Sequence, residues 1–197
     1  MSSSADENLT YIVVLEPHYF PADVQFLLSQ TRTLSITDML ARYDINTRIK
    51  GPNDIYVADS KIVGILIEND ISGGKISRSI AGIGLNVNQT AFPEHLPNPV
   101  SMSLLAGREF DLTGVLGTFI DCLNDRYKLL SFGDAETLDD NFHELLYRRN
   151  SEARYRLPDG TVFEGIVRGV GHGGELFVEH PSGDVESYLL KEIEFVI

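Results

Sequence analysis

Two lysines in the first third of the sequence are the side chains best suited to chemistry. Lys50 comes directly before the turn sequence Gly-Pro-Asn-Asp, and Lys61 opens the apolar run KIVGILIE. A reaction that joins a carboxylate to the α-phosphate of ATP brings two anions together, so it needs fixed cations, usually with magnesium. Lys50 and Lys61, each at a strand end beside a turn, suit that role. The alternative is that both lysines are simply solvated at the rim of a sheet.

A second feature is the Gly-x-Gly-x-Asn pattern of residues 82–86. Side chains alternate along a strand, so the two glycines and the asparagine are expected to share one face. If the preceding hairpin closes around Gly73, Gly64 lies opposite Gly82. The bare positions would then leave a notch in which a flat ligand could lie against the backbone. In this register Lys61 points to the other face unless a bulge intervenes. Taken alone the pattern is weak, because Gly-x-Gly also marks bulges and tight packing contacts.

The elements that must position these residues are strands and helices of a mixed α/β layer. Hydrophobic periodicity and turn residues delimit them. The predicted elements are a buried strand Leu9–Leu15, a helix from about Pro21 to Tyr43, a short strand Thr47–Lys50, an antiparallel hairpin of Lys61–Glu68 and Ile76–Asn88, and helices of about Leu112–Leu130 and Asp134–Tyr147.

The character of the sequence changes near residue 150. Short β-prone segments follow, separated by turn residues such as Asp159-Gly160, Gly173-Gly174 and Ser182-Gly183. Such spacing is typical of a small SH3-like barrel. We therefore expect two domains, residues 1–150 and residues 151–197. The predicted strands of the second are Ala153–Leu157, Val162–Val170, Glu175–Glu179, Val185–Leu190 and Ile193–Ile197.

Composition and charge exclude several classes of protein. The net charge is −13, from 29 acidic and 16 basic side chains, and no basic stripe appears, so neither nucleic acid nor a membrane surface is an expected partner. The first residues lack the pattern of a signal peptide, and the apolar runs are shorter than a bilayer span. We expect a cytoplasmic protein, with the single Cys122 as a buried helical thiol. The five histidines (His18, His95, His143, His172 and His180) lack metal-ligand spacing and are interpreted as surface or loop residues.

Three ordered motifs resemble the catalytic domain of biotin protein ligases. They lie in KGPNDIYVADSKIVGILIE and AGIGLNVNQTAFP. That family carries Lys-Trp-Pro-Asn-Asp, Lys-x-x-Gly-Ile-Leu-x-Glu and Gly-x-Gly-Ile-Asn in the same order and at this spacing. Asn8-Leu9-Thr10 and the C-terminal β-segments also fit the family, so the resemblance covers essentially the whole chain. It implies an α/β (α+β) mixed-sheet catalytic domain of the biotin/lipoate ligase type, followed by a small SH3-like β-barrel.

The resemblance also implies an activity. The family makes biotinyl-5′-AMP from biotin and ATP, with Mg²⁺ expected. It then transfers biotin to a lysine of a biotin carboxyl carrier protein domain of acetyl-CoA carboxylase or another biotin-dependent carboxylase. Matching motif positions assign Lys61 as the catalytic lysine that contacts biotin and the reacting phosphate, Gly64, Ile65 and Gly82 to the biotin pocket, and Lys50, Asn53, Asp54 and Asn86 to the ATP side. No metal ligand is expected from the protein.

Two departures from the family pattern stand out. A Gly-Arg-Gly-x-x-Gly loop and a Ser-Thr-Asn segment would precede Asn8 and are not found, and Gly51 stands where the family has tryptophan. We therefore expect an N-terminally truncated family member, incomplete at the start of its sheet, with homodimer formation through the sheet as one possibility. The alternatives are a non-catalytic fragment or paralogue that retains carrier-protein or nucleotide binding, a lipoate-ligase-like acyltransferase, and a plain structural module.

Overall fold

A six-stranded antiparallel sheet forms the first layer of the protein. The computed structural model describes residues 7–17, 20–189 and 191–196. The sheet has the order β1-β6-β5-β4-β3, with β2 attached to β6. Its strands are β1 (Leu9–Leu15), β2 (Phe20–Pro21), β3 (Arg48–Lys50), β4 (Asp54–Val57), β5 (Ser60–Ser72) and β6 (Lys75–Leu85). All its strand ladders are antiparallel, and two single parallel bridges join it to loop residues, Ile49 with Leu146 and Lys61 with Pro99.

Four helices accompany the sheet, and the longer ones cover one of its faces. They are α1 (Phe26–Ala41), α2 (Met102–Ala106), α3 (Leu112–Ser131) and α4 (Ala135–Glu144). A short 3-10 turn, Ala22–Val24, precedes α1. The predicted helices are thus found, although α4 ends three residues before Tyr147. The reason is that the backbone of residues 145–147 pairs with Ile49, which donates to Leu145 O and accepts from Tyr147 N, both at 2.8 Å.

Helix α1 is buried on nearly all sides, which the sequence does not suggest. It carries seven buried polar residues besides its apolar ones. Several hydroxyls form local hydrogen bonds by donating to carbonyls one turn back, as Thr33 does to Ser29 O at 2.8 Å and Ser35 does to Thr31 O at 2.6 Å. Arg32 is fully buried, and its Nη1 makes one long bond of this kind, to Leu28 O at 3.4 Å. Its Nη2 reaches across to β6, where it donates to Ser79 O and Ser79 Oγ, both at 2.9 Å.

The central hairpin is longer and differently paired than predicted. Its turn is Gly73-Gly74, both with positive φ, and Ser72 pairs with Lys75. A register shift between Asp70 and Ile71 then places Gly64 opposite Gly84, while Gly82 lies opposite Leu66. The predicted pairing of Gly64 with Gly82 is therefore wrong by two residues, because the position of the turn and the bulge together set the register.

The C-terminal segment forms a second antiparallel sheet, of order β10-β9-β8-β7-β11. Its strands are β7 (Glu152–Arg156), β8 (Val162–Val170), β9 (Leu176–Glu179), β10 (Val185–Tyr188) and β11 (Glu194–Phe195). Among the described residues β10 and β11 do not pair, so the sheet is open. Two ends of the predicted strands, Leu190 and Ile197, lie outside the described residues. One hydrophobic cluster joins this sheet to the first layer and contains Leu28 and Phe142 together with Tyr155 and Val178.

Most predictions for isolated side chains agree with the structure. Cys122 is a buried free thiol in α3, as expected, and His172 is exposed in the loop between β8 and β9. His143 differs, since its side chain is only 16% exposed and its Nε2 accepts the Val170 N–H at 3.1 Å. His18 lies outside the described residues. No helix in the described part of the chain is long and apolar enough to span a bilayer.

Candidate active site

A row of five paired residues crosses the whole first sheet on the face away from the helices. Register pairing joins them one strand at a time, because directly opposed residues of antiparallel strands share a face. The row, which we call the glycine row, consists of Thr10, Gly84, Gly64, Asp54 and Lys50, from β1 through β6, β5 and β4 to β3. It has two bare glycines in its middle and charged side chains at one end. A flat ligand could therefore lie against backbone at the centre while its anionic part meets the charged end.

The next row of the same face is apolar. Gly82 lies between Ile12 on β1 and Leu66 on β5, and these two side chains are 71% and 69% exposed. An ideal Cβ on Gly82 would meet no heavy atom within 4 Å, so the surface above it is open. The face thus offers apolar walls beside the glycine row.

A bulge brings Lys61 onto this face. Between β4 and β5 the register shifts, so that Ile55 pairs with Val63 but Tyr56 pairs with Lys61. The extra residue reverses the parity of Lys61, whose Nζ lies 2.8 Å from Asp54 Oδ2. An ideal Cβ on Gly64 would lie 3.2 Å from both Cε and Nζ of Lys61. The lysine therefore lies over the bare position, which the simple strand alternation did not predict.

A loop fixes the backbone at Lys61. The Lys61 N–H donates to Asn98 O at 2.7 Å, and Val100 N donates back to Lys61 O at 3.0 Å. Both bonds come from the proline-rich segment 92–100, which the sequence identifies only as irregular. This segment is part of the candidate site because its two hydrogen bonds fix the backbone position from which the Lys61 side chain extends.

Lys50 lies at the charged end of the row in a partly apolar environment. Its Nζ donates to Tyr56 Oη at 3.3 Å. Burial lowers the pKa of Lys50, and Asp54 and then Glu194 oppose that change. Burial also raises the pKa of Tyr56 to about 12, so this hydroxyl stays protonated. A partly dehydrated ammonium group interacts more strongly with an anion than a fully solvated one does.

The predicted residues of the site do not all contribute side chains to this face. Asn86 is buried and its Nδ2 donates to Val100 O at 3.0 Å. Ile65 is buried in the core on the opposite face, so only its backbone is available to a ligand. Asn53 accepts the Ile65 N–H through its carbonyl at 3.2 Å. Lys50, Asp54, Lys61 and Gly64 are brought together, whereas Asn86 lies past the end of β6.

A cavity of about 200 Å³ lies beside the glycine row. Gly84 and Asn86 both line it, whereas Gly82 is absent from its lining. The remaining walls are Asn8, Thr10, Leu85, Gln89, Phe92, Pro93, His95, Leu96 and Pro99. Motif spacing could not identify the loop part of this lining, because residues 92–99 approach the sheet only through tertiary packing.

We expect Gly64→Ala to slow any reaction that uses Lys61, with little change in stability. The new methyl group requires Lys61 to move by a few tenths of an ångström, and small misplacements at a reacting centre cost about 10- to 100-fold in rate. The backbone of Gly64 is not in the left-handed region, so the fold should tolerate the change. The measurement is the rate of ATP–pyrophosphate exchange beside a thermal melt. Gly117→Ala on α3, where an ideal Cβ meets no atom within 4 Å, is the control. Equal rates for the two variants would contradict the close contact at Gly64.

Comparisons with known proteins find similar sequences over most of the chain. Residues 3–86 match the biotin/lipoate A/B protein ligase family. The bifunctional ligase/repressor BirA of Bacillus subtilis is 32% identical over 147 residues, which is 73% of this chain and 45% of that protein. Biotin–protein ligase 1 of Arabidopsis thaliana is 27% identical over 184 residues, 82% of this chain and 48% of that protein. The chain therefore spans about half the length of these curated relatives.

Solved structures share the fold over almost the whole chain. The biotin protein ligase of Aquifex aeolicus superposes with a TM-score of 0.77 at 21% identity, covering 96% of this chain and 82% of that one. The same protein in complex with biotin and ATP gives a TM-score of 0.76 at 21% identity, over 96% of this chain and 78% of that one. The sequence matches agree with the family resemblance that the three motifs indicated, and the solved structures show the same fold.

Proposed function

We propose that the chain, whose residues 3–86 match the biotin/lipoate A/B protein ligase family, acts as a biotin–[acetyl-CoA carboxylase] ligase. In the first step a carboxylate oxygen of biotin attacks the α-phosphate of ATP, and pyrophosphate leaves as biotinyl-5′-AMP forms. In the second step the amine of a carrier lysine attacks the activated carbonyl, so that an amide forms and AMP leaves. The observation that carries the proposal is the glycine row with Lys50 at its end and Lys61 over Gly64.

The acid would lie along the exposed face of the sheet. Gly82 leaves room for a flat ring system against backbone, and Ile12 and Leu66 supply apolar walls. The Lys61 ammonium over Gly64 would then meet the carboxylate and the α-phosphate where they join. This is where negative charge grows during the reaction, and a fixed cation there lowers the barrier.

The nucleotide would extend along the glycine row, with its phosphates at one end and its base at the other. Lys50 and Asp54 border the phosphate side, and the cavity beside Gly84 and Asn86 offers a partly apolar recess for the base. Its volume of about 200 Å³ exceeds the roughly 150 Å³ of an apolar cavity that holds benzene, so a purine ring fits in size. Asn53 joins this side through its position in the turn between Lys50 and Asp54.

Magnesium would arrive with the triphosphate. The described residues contain no group of three or more His, Cys, Asp or Glu side chains that could hold a metal ion. Mg²⁺ commonly binds through substrate phosphates, waters and one or two carboxylates. Asp54, which already neutralises Lys61, is the carboxylate placed to contribute. When bound, the ion would neutralise phosphate charge.

The partner of the second step would be a biotin carboxyl carrier protein domain in the cytoplasm. The carrier lysine must reach the exposed face of the first sheet, which is open above Gly82. Two domains, residues 1–150 and 151–197, with the second of SH3-like type, would account for the change in sequence character near residue 150. Strand β1 is an edge of the sheet, and pairing of two such edges would give a homodimer.

The test is biotin-dependent exchange of labelled pyrophosphate into ATP by the purified chain. Exchange that requires biotin would support the ligase, and lipoate added as a competitor would separate the two acids that the family name covers. Exchange driven by lipoate and not by biotin would replace biotin with lipoate in the proposal. A folded chain without exchange, but with carrier or nucleotide binding, would overturn the enzymatic proposal in favour of the non-catalytic alternative.

A further inference from the structure

The ammonium group of Lys50 lies between aromatic rings from two different sheets. Its Nζ is 4.6 Å from the ring centre of Tyr56 on β4 and 5.3 Å from that of Phe195 on β11. Both distances are within the range in which a cation is attracted to a ring face. The C-terminal sheet therefore contacts the charged end of the glycine row directly.

Phe195 is itself held from several directions. Strand β11 pairs with β7 so that Phe195 lies opposite Tyr155. Its ring centre is 5.1 Å from that of Tyr155 and 5.4 Å from that of Tyr147, and the side chain is 8% exposed. A ring packed in this way has little freedom, so it restrains the flexible lysine rather than following it.

Lys50 keeps hydrogen-bond donors for a ligand. An ammonium group has three N–H donors, and in the described part of the chain its one hydrogen-bond partner is the Tyr56 hydroxyl. Lys50 also lines a cavity of about 120 Å³ together with Asp54, Glu194 and Phe195. The charged groups that act on Lys50 are Asp54 and Glu194, which raise its pKa, and Lys61 and Arg148, which lower it after the larger effect of burial.

We propose that Phe195 is a positioning residue for nucleotide binding, which holds the Lys50 ammonium toward the phosphates and so makes the C-terminal sheet part of the ATP site. The inference rests on the proposed function in naming ATP as the ligand. Phe195 contacts no reacting atom in this scheme and acts only through Lys50. It goes beyond motif matching, because the motif segments end at residue 93.

The experiment compares Phe195→Leu with Phe195→Tyr in the full chain. Leucine keeps most of the bulk but removes the ring face, and tyrosine restores the ring. Phe142→Leu is the matched control, since Phe142 is fully buried in the same hydrophobic cluster. In protein labelled with ¹³C-lysine, the ε-methylene proton resonances of Lys50, assigned with Lys50→Arg, report the ring directly. The same resonances followed during titration with magnesium-ATP give the Kd.

We expect Phe195→Leu to move the Lys50 resonances downfield and to weaken ATP binding about tenfold. In the exchange assay the KM for ATP should rise with kcat nearly unchanged, and Phe195→Tyr should restore both. Unchanged ATP affinity in Phe195→Leu, or equal weakening by Phe142→Leu, would overturn the inference. The proposed ligase function and the proposed role of Phe195 can fail independently. If the wild-type chain shows no exchange but binds ATP in a way that depends on the Phe195 ring, the ligase function is refuted and Phe195 is retained as a positioning residue.

Discussion

Lys61→Ala is expected to reduce biotin-dependent pyrophosphate exchange by about 100- to 1000-fold, the range for losing one preorganised group that stabilises transition-state charge. Lys61 is the cation that lies over Gly64, next to the open surface above Gly82 where the acid is proposed to bind. Without it, Asp54 would face the same space with its negative charge unpaired, so the loss combines a missing cation with a repulsive carboxylate. Both kcat and kcat/KM should fall, because the interaction is strongest in the transition state.

The fold should survive this substitution. The Lys61–Asp54 ion pair is one-third exposed at both side chains, and pairs of this kind contribute about 0–1 kcal/mol to stability. A thermal melt should therefore move by only a few degrees. Lys128→Ala is the matched control, because Lys128 forms a comparable but more exposed pair with Asp125 on α3, on another part of the molecule.

A second substitution separates charge from position. Lys61→Ala/Asp54→Asn removes both members of the pair, and it should recover part of the exchange lost in Lys61→Ala if repulsion by Asp54 contributes. Exchange that persists at the wild-type rate in Lys61→Ala would mean that the reacting phosphate lies elsewhere. Lys50, at the same end of the row, would then be the next lysine to replace.

The sequence predicts most of the longer strands and helices because their periodicity is local, but it does not predict the short elements β4 and α2. Val162–Val170 is found with its predicted bounds, and the predicted strand Leu9–Leu15 is β1. Turn chemistry also locates the hairpin, but register depends on where the turn closes and on a bulge, and neither can be obtained from alternation. The predicted contact of Gly64 with Gly82 is wrong for that reason.

The motifs indicate which residues lie in the candidate site, but they do not predict how those residues are arranged. Lys50, Asp54, Lys61 and Gly64 come together as the resemblance implies, but a bulge that no pattern shows is needed to turn Lys61 onto their face. Phe195 is separated from Lys50 by 145 positions in the sequence, so its contact exists only through packing of the two sheets. Such contacts have no signal in a single sequence.

In helix α1 the sequence pattern also fails to predict an important feature. A charged residue is buried there, although nothing in the pattern distinguishes it from an exposed one. Arg32 is 0% exposed. No carboxylate of the described residues forms an ion pair with it, and its Nε is buried without a hydrogen-bond partner. Burial lowers the pKa of Arg32 to about 10, which reflects the cost of keeping this charge away from water. Its two bonds to Ser79 at 2.9 Å and the longer one to Leu28 O at 3.4 Å offset only part of that cost.

We therefore expect Arg32→Met to raise the free energy of unfolding by about 1–3 kcal/mol, since replacing buried ionic groups with apolar ones of similar volume is often stabilising. Methionine is unbranched and can follow the path of the arginine stem. Ser79→Ala with Arg32 retained should have the opposite effect, a loss of about 1–3 kcal/mol, because it leaves a buried donor without its partner. Urea denaturation of both single variants and the double variant measures the coupling between the two residues. If Arg32→Met instead destabilises the chain by more than Ser79→Ala does, the three hydrogen bonds of the guanidinium outweigh the cost of burying its charge.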